Sequence, residues 1–211
     1  MNGAPKALIG KGAIIGTGVV AVAAAALSMP RASLTPGFLV LLAFATLVAP
    51  RMSITLPGSR FALSFSDASV YLCLLLYGGP AAILLACAES AANCLYLRST
   101  GFRFGKWMLP ANVAANSVSM AATYVIWLLM PSFTGLTPDA GTSPHLIATL
   151  SCLALSQFVF SSFLAALLFR LNGGAAILAT WRRYSYSSSM TQLVGAGVAG
   201  MIFKVIGYGD P

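Results

Sequence analysis

Long apolar runs, each broken by a short polar or turn-forming stretch, dominate the pattern of this chain. Seven runs can be marked, covering residues 12–29, 36–50, 62–77, 80–97, 109–130, 145–169 and 187–207. A transmembrane helix needs about 20 mostly apolar residues. The pattern therefore predicts an all-α fold: a polytopic transmembrane helix bundle of about seven spans, forming a single integral membrane domain over residues 1–211.

The breaks between the runs carry turn signals. Pro30 ends the first run, since the residue before a proline disfavours the helical conformation. Gly78-Gly79-Pro80 predicts a tight turn between the third and fourth runs. The second run, 36–50, is short for a full crossing, so it either crosses a locally thinned bilayer or folds as a re-entrant segment. Residues 98–108 and 170–186 are interpreted as basic loops.

Composition changes the expected solvent from water to lipid. Apolar residues make up 58% of the chain and charged residues only 8%, whereas soluble domains carry about 25% charged residues. The net charge of +8 would suggest nucleic acid in a soluble protein. Here the basic residues fall between apolar runs, so the predicted partner is the lipid bilayer and no nucleic acid is expected.

The distribution of basic residues predicts the orientation. Loops on the cytoplasmic side are enriched in Lys and Arg. With a cytoplasmic N-terminus and seven crossings, two basic residues, Arg31 and Lys204, lie outside. The other ten lie inside: Lys6, Lys11, Arg51, Arg60, Arg98, Arg103, Lys106, Arg170, Arg182 and Arg183. This bias predicts a multi-pass protein of the bacterial inner (cytoplasmic) membrane and favours crossing by the second run.

The sequence allows two interpretations at each end of the chain. Lys6 and Lys11 followed by the apolar run Ala13–Leu27 are similar to a signal peptide, but Ser28-Met29-Pro30-Arg31 is a poor cleavage site, so an uncleaved first span is expected. The turn-like stretch Gly207–Pro211 either ends the protein on the outer side or leads into a further span and a C-terminal output domain.

Polar residues within the spans are the candidates for ligand binding, because such residues are costly in lipid. The candidate residues are Glu89, Asn93, Asn112, Asn116, Asp67 and Gln192. Most of them fall in the predicted cytoplasmic half, and Glu89–Asn93 and Asn112–Asn116 each share a helix face. They can form a pocket for a small ligand or proton. Alternatively, the amides join helices by hydrogen bonds of about 1 kcal/mol each, and Asp67 caps a helix start.

Signatures of enzymes and metal sites are missing. Nucleophile elbows, phosphate-binding loops and paired catalytic carboxylates do not occur, so no enzyme, cofactor or metal site is predicted. The four cysteines all lie inside apolar runs without a CxxC pair and are interpreted as small buried residues. Small residues four apart, such as Gly12 and Gly16, predict close helix packing. On the first span they also suggest a partner membrane subunit or a homodimer.

Three stretches together resemble a known family. They are Ser64–Ala68 leading into Leu74–Ala82, the aromatic and basic loop before Asn112, and Trp181–Tyr184 leading into Gly195–Gly197. Their order over residues 50–207 resembles the N-terminal membrane regions of bacterial cyclic-di-GMP signalling proteins with HD-GYP or GGDEF output domains. That resemblance implies a sensory role. The sequence contains neither output motif, which puts nucleotide chemistry in doubt for this chain.

A second resemblance is weaker. Gly78-Gly79-Pro80-Ala81 followed by Glu89 is similar to the turn and helix of substrate-binding subunits of energy-coupling-factor vitamin transporters. Those subunits have six spans rather than seven. Three hypotheses follow: first, a membrane sensory module that binds a small ligand in a polar intramembrane pocket; second, a substrate-binding subunit of a small-solute uptake transporter; third, a membrane protein with a structural role only.

Overall fold

The computed structural model is a bundle of seven α-helices within the part of the chain that it describes, namely residues 3–52, 54–55, 62–63, 66–102, 105–134, 143–173 and 176–208. The helices are α1 (Gly3–Ser28), α2 (Pro36–Ala43), α3 (Ser66–Tyr77), α4 (Gly79–Ser99), α5 (Met108–Thr134), α6 (Ser143–Leu171) and α7 (Ile177–Tyr208). Two short antiparallel segments, β1 (Ile54–Thr55) and β2 (Ala62–Leu63), pair between α2 and α3. The prediction of a helical bundle is confirmed. Ser64, Phe65, Arg60, Arg103 and residues 209–211 lie outside the described residues.

Four helices are long and apolar enough to cross a membrane. The apolar parts cover Ala7–Ser28, Gly79–Ser99, Met108–Met130 and Pro144–Leu171. At 1.5 Å per residue, each matches or exceeds a hydrocarbon core of about 30 Å. Three further apolar helical segments are shorter: Pro36–Arg51, Ser66–Tyr77 and Thr191–Gly207. These lengths are compatible with a membrane protein.

The α2 segment starts and ends at its prolines. Thr35 caps the helix, since its hydroxyl oxygen accepts a hydrogen bond from the Phe38 N–H at 3.2 Å, and Pro36 occupies the first turn, where no N–H is needed. The helix continues through a wide π turn at Phe44–Val48 and a 3₁₀ turn at Ala49–Arg51. Pro50 explains this change, because proline cannot donate the next helical hydrogen bond and crowds the preceding turn.

The predicted tight turn between the third and fourth apolar runs is confirmed. Tyr77 ends α3, Gly78 adopts a φ of +83°, and α4 begins at Gly79. Glycine is favoured at a positive φ because it has no Cβ. Gly79 also lets α4 approach α5: a Cβ there would lie 2.1 Å from the ring of Tyr124.

Two predicted boundaries are wrong. The third run was expected to be helical from residue 62, but Ala62 and Leu63 pair with β1, and α3 begins at Ser66. Residues 170–186 were expected to form a basic loop. Instead α6 ends at Leu171, Gly173 turns the chain with a φ of +86°, and α7 begins at Ile177. Arginine is a good helix former, so a basic stretch can extend a helix beyond its apolar part.

The short helix α3 lies in the centre of the bundle. Eight of its twelve residues are buried: Ser66, Ala68, Ser69, Val70, Tyr71, Leu72, Cys73 and Leu74. It packs on α2, α4 and α7. By contrast, α1 is peripheral, packs on α4, α5 and α6, and leaves Leu27 90% exposed. A 12-residue helix spans only about 18 Å, and its burial by neighbouring helices shields it from the surroundings.

Some glycines of α1 and α7 pack closely against a neighbouring helix, whereas others face open space. On α1, a Cβ at Gly18 would lie 2.4 Å from the Ala114 Cβ, whereas Gly12 and Gly16 face open space. On α7, Gly195 packs on Asp67 and Gly200 packs on Leu150. Helices α1 and α7 therefore use some of their glycines for close packing within the bundle. A partner on α1 stays a prediction.

Candidate ligand-binding site

Two carboxyl groups meet near the start of α3. Glu89 on α4 is buried, and the side chain of Ser66 at the start of α3 hydrogen-bonds its carboxyl group. From α5, the Asn116 amide donates to the Ala86 carbonyl at 3.2 Å and, over a longer 3.5 Å, to Glu89 Oε2. The next residue on α3, Asp67, lies close enough for its charge to interact with that of Glu89.

The hairpin formed by α3 and α4 explains this meeting. Ser66 lies twelve residues before Gly78, and Glu89 lies eleven residues after it. Since both helices rise 1.5 Å per residue, the two positions stand at nearly the same height on the antiparallel pair. Helix α3 begins at Ser66. It therefore lies alongside α4 only from the Gly78 turn to the level of Glu89.

Asp67 faces α7 as well as α4. Its carboxyl group accepts hydrogen bonds from the side chains of Gln192 and Thr191. One turn along α3, the Tyr71 hydroxyl donates to Gln192 Oε1 at 2.6 Å. Gly195 makes the close approach of the helices feasible, since a Cβ there would lie 2.8 Å from the Asp67 Cβ. The polar contacts that α3 makes with α4 through Ser66 and with α7 through Asp67 therefore lie side by side, since these two residues are neighbours in the chain.

A cleft of about 480 Å³ opens beside these contacts, between α3, α6 and α7. Its described lining residues are Asp67, Ser161, Ser162, Ala165, Ala166, Phe169, Thr180, Trp181, Thr191 and Gln192. Thr180 and Thr191 are eleven residues apart, and this spacing places them on one face of α7 about three turns from each other. Pockets for small molecules typically have volumes of about 300–1,000 Å³, so the cleft has room for such a ligand.

Trp181 forms a fixed part of the cleft wall. Its indole N–H donates a hydrogen bond to the Ser162 hydroxyl at 2.8 Å. On another side, its ring lies against Phe158, with centroids 6.4 Å apart and planes tilted by 31°. These two contacts with α6 hold the indole, and the cleft therefore combines a positioned aromatic ring with a carboxyl group.

The structure brings together four of the six candidate residues: Asp67, Glu89, Asn116 and Gln192. Asn112 lies one turn before Asn116, and its amide reaches Cys94 Sγ at 4.0 Å. It lines a neighbouring cavity of about 230 Å³ with Lys11, Trp107 and Asn172, and this cavity shares Ala165 and Phe169 with the cleft. Asn93 is half-buried and, within the described part of the chain, makes no hydrogen bond to the other five.

The sequence analysis missed several residues of this region. Tyr71 and Thr191 were not candidates, because a hydroxyl in an apolar run carries no charge signal. The tryptophan at 181 fits the aromatic belt typical of a membrane interface. The sequence held one signal for these residues, namely their spacing along α7. Thr180, Thr191 and Gln192 can be placed on the same side of one helix only when the basic stretch 170–186 is taken as helical.

A second buried polar cluster lies elsewhere in the bundle. The Thr123 hydroxyl on α5 donates to Gln157 Oε1 on α6 at 2.7 Å, and the Ser119 hydroxyl reaches the Gln157 carbonyl at 3.4 Å. All three residues are buried. None of them is among the described residues that line the cleft. This cluster joins two helices by hydrogen bonds.

The remaining cavities and the cysteines offer fewer groups that could bind a polar ligand. Two apolar grooves, of about 530 Å³ between α6 and α7 and about 480 Å³ between α1, α4 and α5, have almost entirely apolar walls. Within the described ranges, no three His, Cys, Asp or Glu residues come close enough together to hold a metal ion. The four cysteines are free thiols.

Comparison of the chain with known proteins finds no matching family model, no matching curated protein and no matching solved structure. The resemblances to signalling membrane regions and to vitamin-transporter subunits therefore stay predictions.

Proposed function

We propose that this chain is a sensory input module of the bacterial inner membrane that binds a small ligand in the cleft between α3, α6 and α7. The observation that carries the proposal is the cleft itself. It offers about 480 Å³ of space beside the Asp67 carboxyl and the Gln192 amide. Ligand pockets commonly combine a mostly apolar wall with a few converging polar groups.

The proposal includes seven crossings and a cytoplasmic N-terminus. The distribution of ten basic residues inside and two outside supports it. Two crossings would be short: Pro36–Arg51 and Ser66–Tyr77 measure about 24 and 18 Å. For α3, the surrounding helices replace lipid along most of its length. In this topology the cleft lies in the cytoplasmic half, beside the start of α7.

Reporter fusions test the topology. A cytoplasmically active reporter inserted after Gly105 or Asn172 should be active, and a periplasmically active reporter at either site should be silent. An insertion after Ala32 should give the opposite result. Periplasmic activity after Gly105 or Asn172 would contradict the proposed orientation.

Purification that retains bound ligand tests the sensory function. Native mass measurement of the detergent-purified chain should reveal a small molecule that is reduced or lost in Asp67→Asn. Asp67→Asn keeps the shape of the side chain and removes its charge. The Gln157→Leu variant serves as the control, since Gln157 is not among the described residues that line the cleft and its amide accepts a hydrogen bond from Thr123 on α5. A bound molecule retained equally by Asp67→Asn and wild type would contradict this assignment of the site.

The proximity of Asp67 and Glu89 favours a second candidate function, a small-solute transport subunit. Proton-driven transporters use buried carboxyl groups as proton carriers, and here one carboxyl borders the cleft while the other lies deeper, linked through Ser66. Uptake of a bound solute into proteoliposomes would support this candidate. Glu89→Gln should then abolish proton-driven uptake while binding persists. If Glu89→Gln and Asp67→Asn alter only stability, the structural role is the better account.

A further inference from the structure

The cleft has the carboxyl group of Asp67 and the indole of Trp181 among its described lining residues. Asp67 is the one acidic residue among the described lining residues, and none of them is Lys or Arg. The remaining polar lining consists of the Gln192 amide and the hydroxyls of Ser161, Ser162, Thr180 and Thr191. Among the described residues, this lining is suited to a positive or neutral ligand and holds no cationic partner for an anion.

The carboxyl group of Asp67 keeps capacity for a ligand. A carboxylate has about four lone-pair sites, and two neighbouring side chains, Gln192 and Thr191, hydrogen-bond it. These bonds fix its orientation from the α7 side. Because Asp67 also lines the cleft, its carboxyl group can accept a donor or a positive charge from a ligand within that space.

The indole of Trp181 supplies the second recognition element. An indole offers a large aromatic surface against which the apolar body of a ligand can pack. The hydrogen bond to Ser162 and the packing on Phe158 position the ring before any ligand arrives, so little ordering is required on binding. Ala165, Ala166 and Phe169 add an apolar surface beside it.

We infer that the cleft between α3, α6 and α7 binds an ammonium-bearing small molecule with an apolar body, its positive charge held by the Asp67 carboxylate and its apolar body packed along the wall that includes the Trp181 indole. This inference rests on the proposed function, since it names the ligand class of the same cleft. The ammonium group can belong to a free amine or to the headgroup of an amine-bearing lipid, and the same chemistry recognises both.

Three probes of matched shape test the inference. They are benzyltrimethylammonium, its neutral isostere neopentylbenzene and the anion phenylmethanesulfonate. Each is titrated by calorimetry into the full chain in phosphatidylglycerol nanodiscs, with empty nanodiscs as the reference. We expect saturable binding of the ammonium probe, and an affinity for the neutral and anionic probes at least about tenfold lower.

Variants identify the two recognition elements. Asp67→Asn should weaken the ammonium probe about tenfold or more, and Trp181→Leu about threefold or more. Glu89→Gln should weaken it less than Asp67→Asn does, because Glu89 is not among the lining residues. Trp127→Phe, a change at a tryptophan outside the lining, serves as the unchanged control. If Asp67→Asn fails to fold, Trp181→Leu together with the probe series still decides the question.

The outcomes separate the ligand class from the function. Tighter saturable binding of the neutral or anionic probe, lost in Asp67→Asn or Trp181→Leu, overturns the ammonium class and leaves the cleft as a binding site. Absence of saturable binding by all three probes overturns both proposals. Nanodiscs with added phosphatidylethanolamine distinguish the sources: competition with the ammonium probe supports a lipid headgroup, and unchanged affinity supports a free amine.

Discussion

Two buried glutamines, Gln157 and Gln192, make nearly the same hydrogen bond in different surroundings. Gln157 Oε1 accepts from Thr123 at 2.7 Å, and Gln192 Oε1 accepts from Tyr71 at 2.6 Å. Yet Gln192 also bonds the Asp67 carboxyl and lines a cleft, whereas Gln157 lies in closed packing between α5 and α6. The bond alone therefore does not separate a structural amide from a candidate ligand-binding one; the two glutamines differ in the space and the charge beside them.

The largest effect is expected when the spacing between α7 and α3 beside Gln192 is increased and every polar group is kept. In Gly195→Ala the new Cβ would lie 2.8 Å from the Asp67 Cβ. Such overpacking costs about 1–3 kcal/mol and pushes α7 away from α3. We expect a lower melting temperature in detergent and weaker binding of benzyltrimethylammonium. Gly197→Ala is the matched control, because nothing lies within 4 Å of its Cβ position. Equal behaviour of the two variants would contradict the close contact.

Replacing each of the two glutamines by alanine tests directly whether their roles differ. Each substitution removes an amide acceptor from a buried hydroxyl and should cost up to about 1 kcal/mol of stability. The Thr123 hydroxyl keeps the Ser119 carbonyl as an acceptor at 3.0 Å, so Gln157→Ala should cost the less of the two. Gln192→Ala should in addition lower the affinity for the ammonium probe by about fivefold, since 1 kcal/mol corresponds to that factor. Denaturation and calorimetry measure the two quantities separately. An equal loss of affinity in Gln157→Ala would show that the effect is indirect.

Removing one hydroxyl gives a smaller change. Tyr71→Phe deletes the donor to Gln192 and leaves the ring in place, so a loss of about 0.6 kcal/mol is expected, the average for hydrogen bonds between membrane helices. The Gln192 amide would then be less fixed, and probe affinity should fall slightly. A stability loss well above this value would indicate that the ring packing had also changed. The measurement is thermal unfolding in one detergent for both proteins.

The smallest effect is expected at Asn93. This residue is half-buried and, within the described part of the chain, makes no hydrogen bond to the other candidates. Asn93→Ala should therefore change both stability and probe affinity by less than about 0.5 kcal/mol. Asn116→Ala, which removes the bonds to Ala86 and Glu89, should be more destabilising. A large loss of affinity in Asn93→Ala would restore it to the site.

Sequence reasoning succeeded where one physical signal dominates. Apolar runs predicted the long helices, and the φ requirement at Gly78 predicted the turn between α3 and α4. Pairing of Asn112 and Asn116 on one face was also correct, since both point toward α4, reaching Cys94 and Ala86.

It failed where the surroundings of a residue depend on other helices. Glu89 and Asn93 share a face of α4, yet only Glu89 has α3 opposite it, because α3 begins at Ser66. The length of α3 could not be derived, since the pairing of Ala62 and Leu63 with β1 competes with helix formation. The cleft could not be foreseen either, because its wall comes from α6 and from a stretch of α7 interpreted as a loop.

The continuous course of α7 has a mechanical consequence. Its 32 residues measure about 48 Å, well beyond the roughly 30 Å of a bilayer interior. Gln192 divides this rod into two arms, and the arm of about 22 Å that reaches back to Ile177 contacts α6 through Trp181. A tilt of about 10° pivoting at Gln192 would swing Ile177 by about 4 Å. Under the proposed function, a ligand that tilts this arm would move Ile177 by the same distance, because the helix is continuous from Ile177 to Gln192.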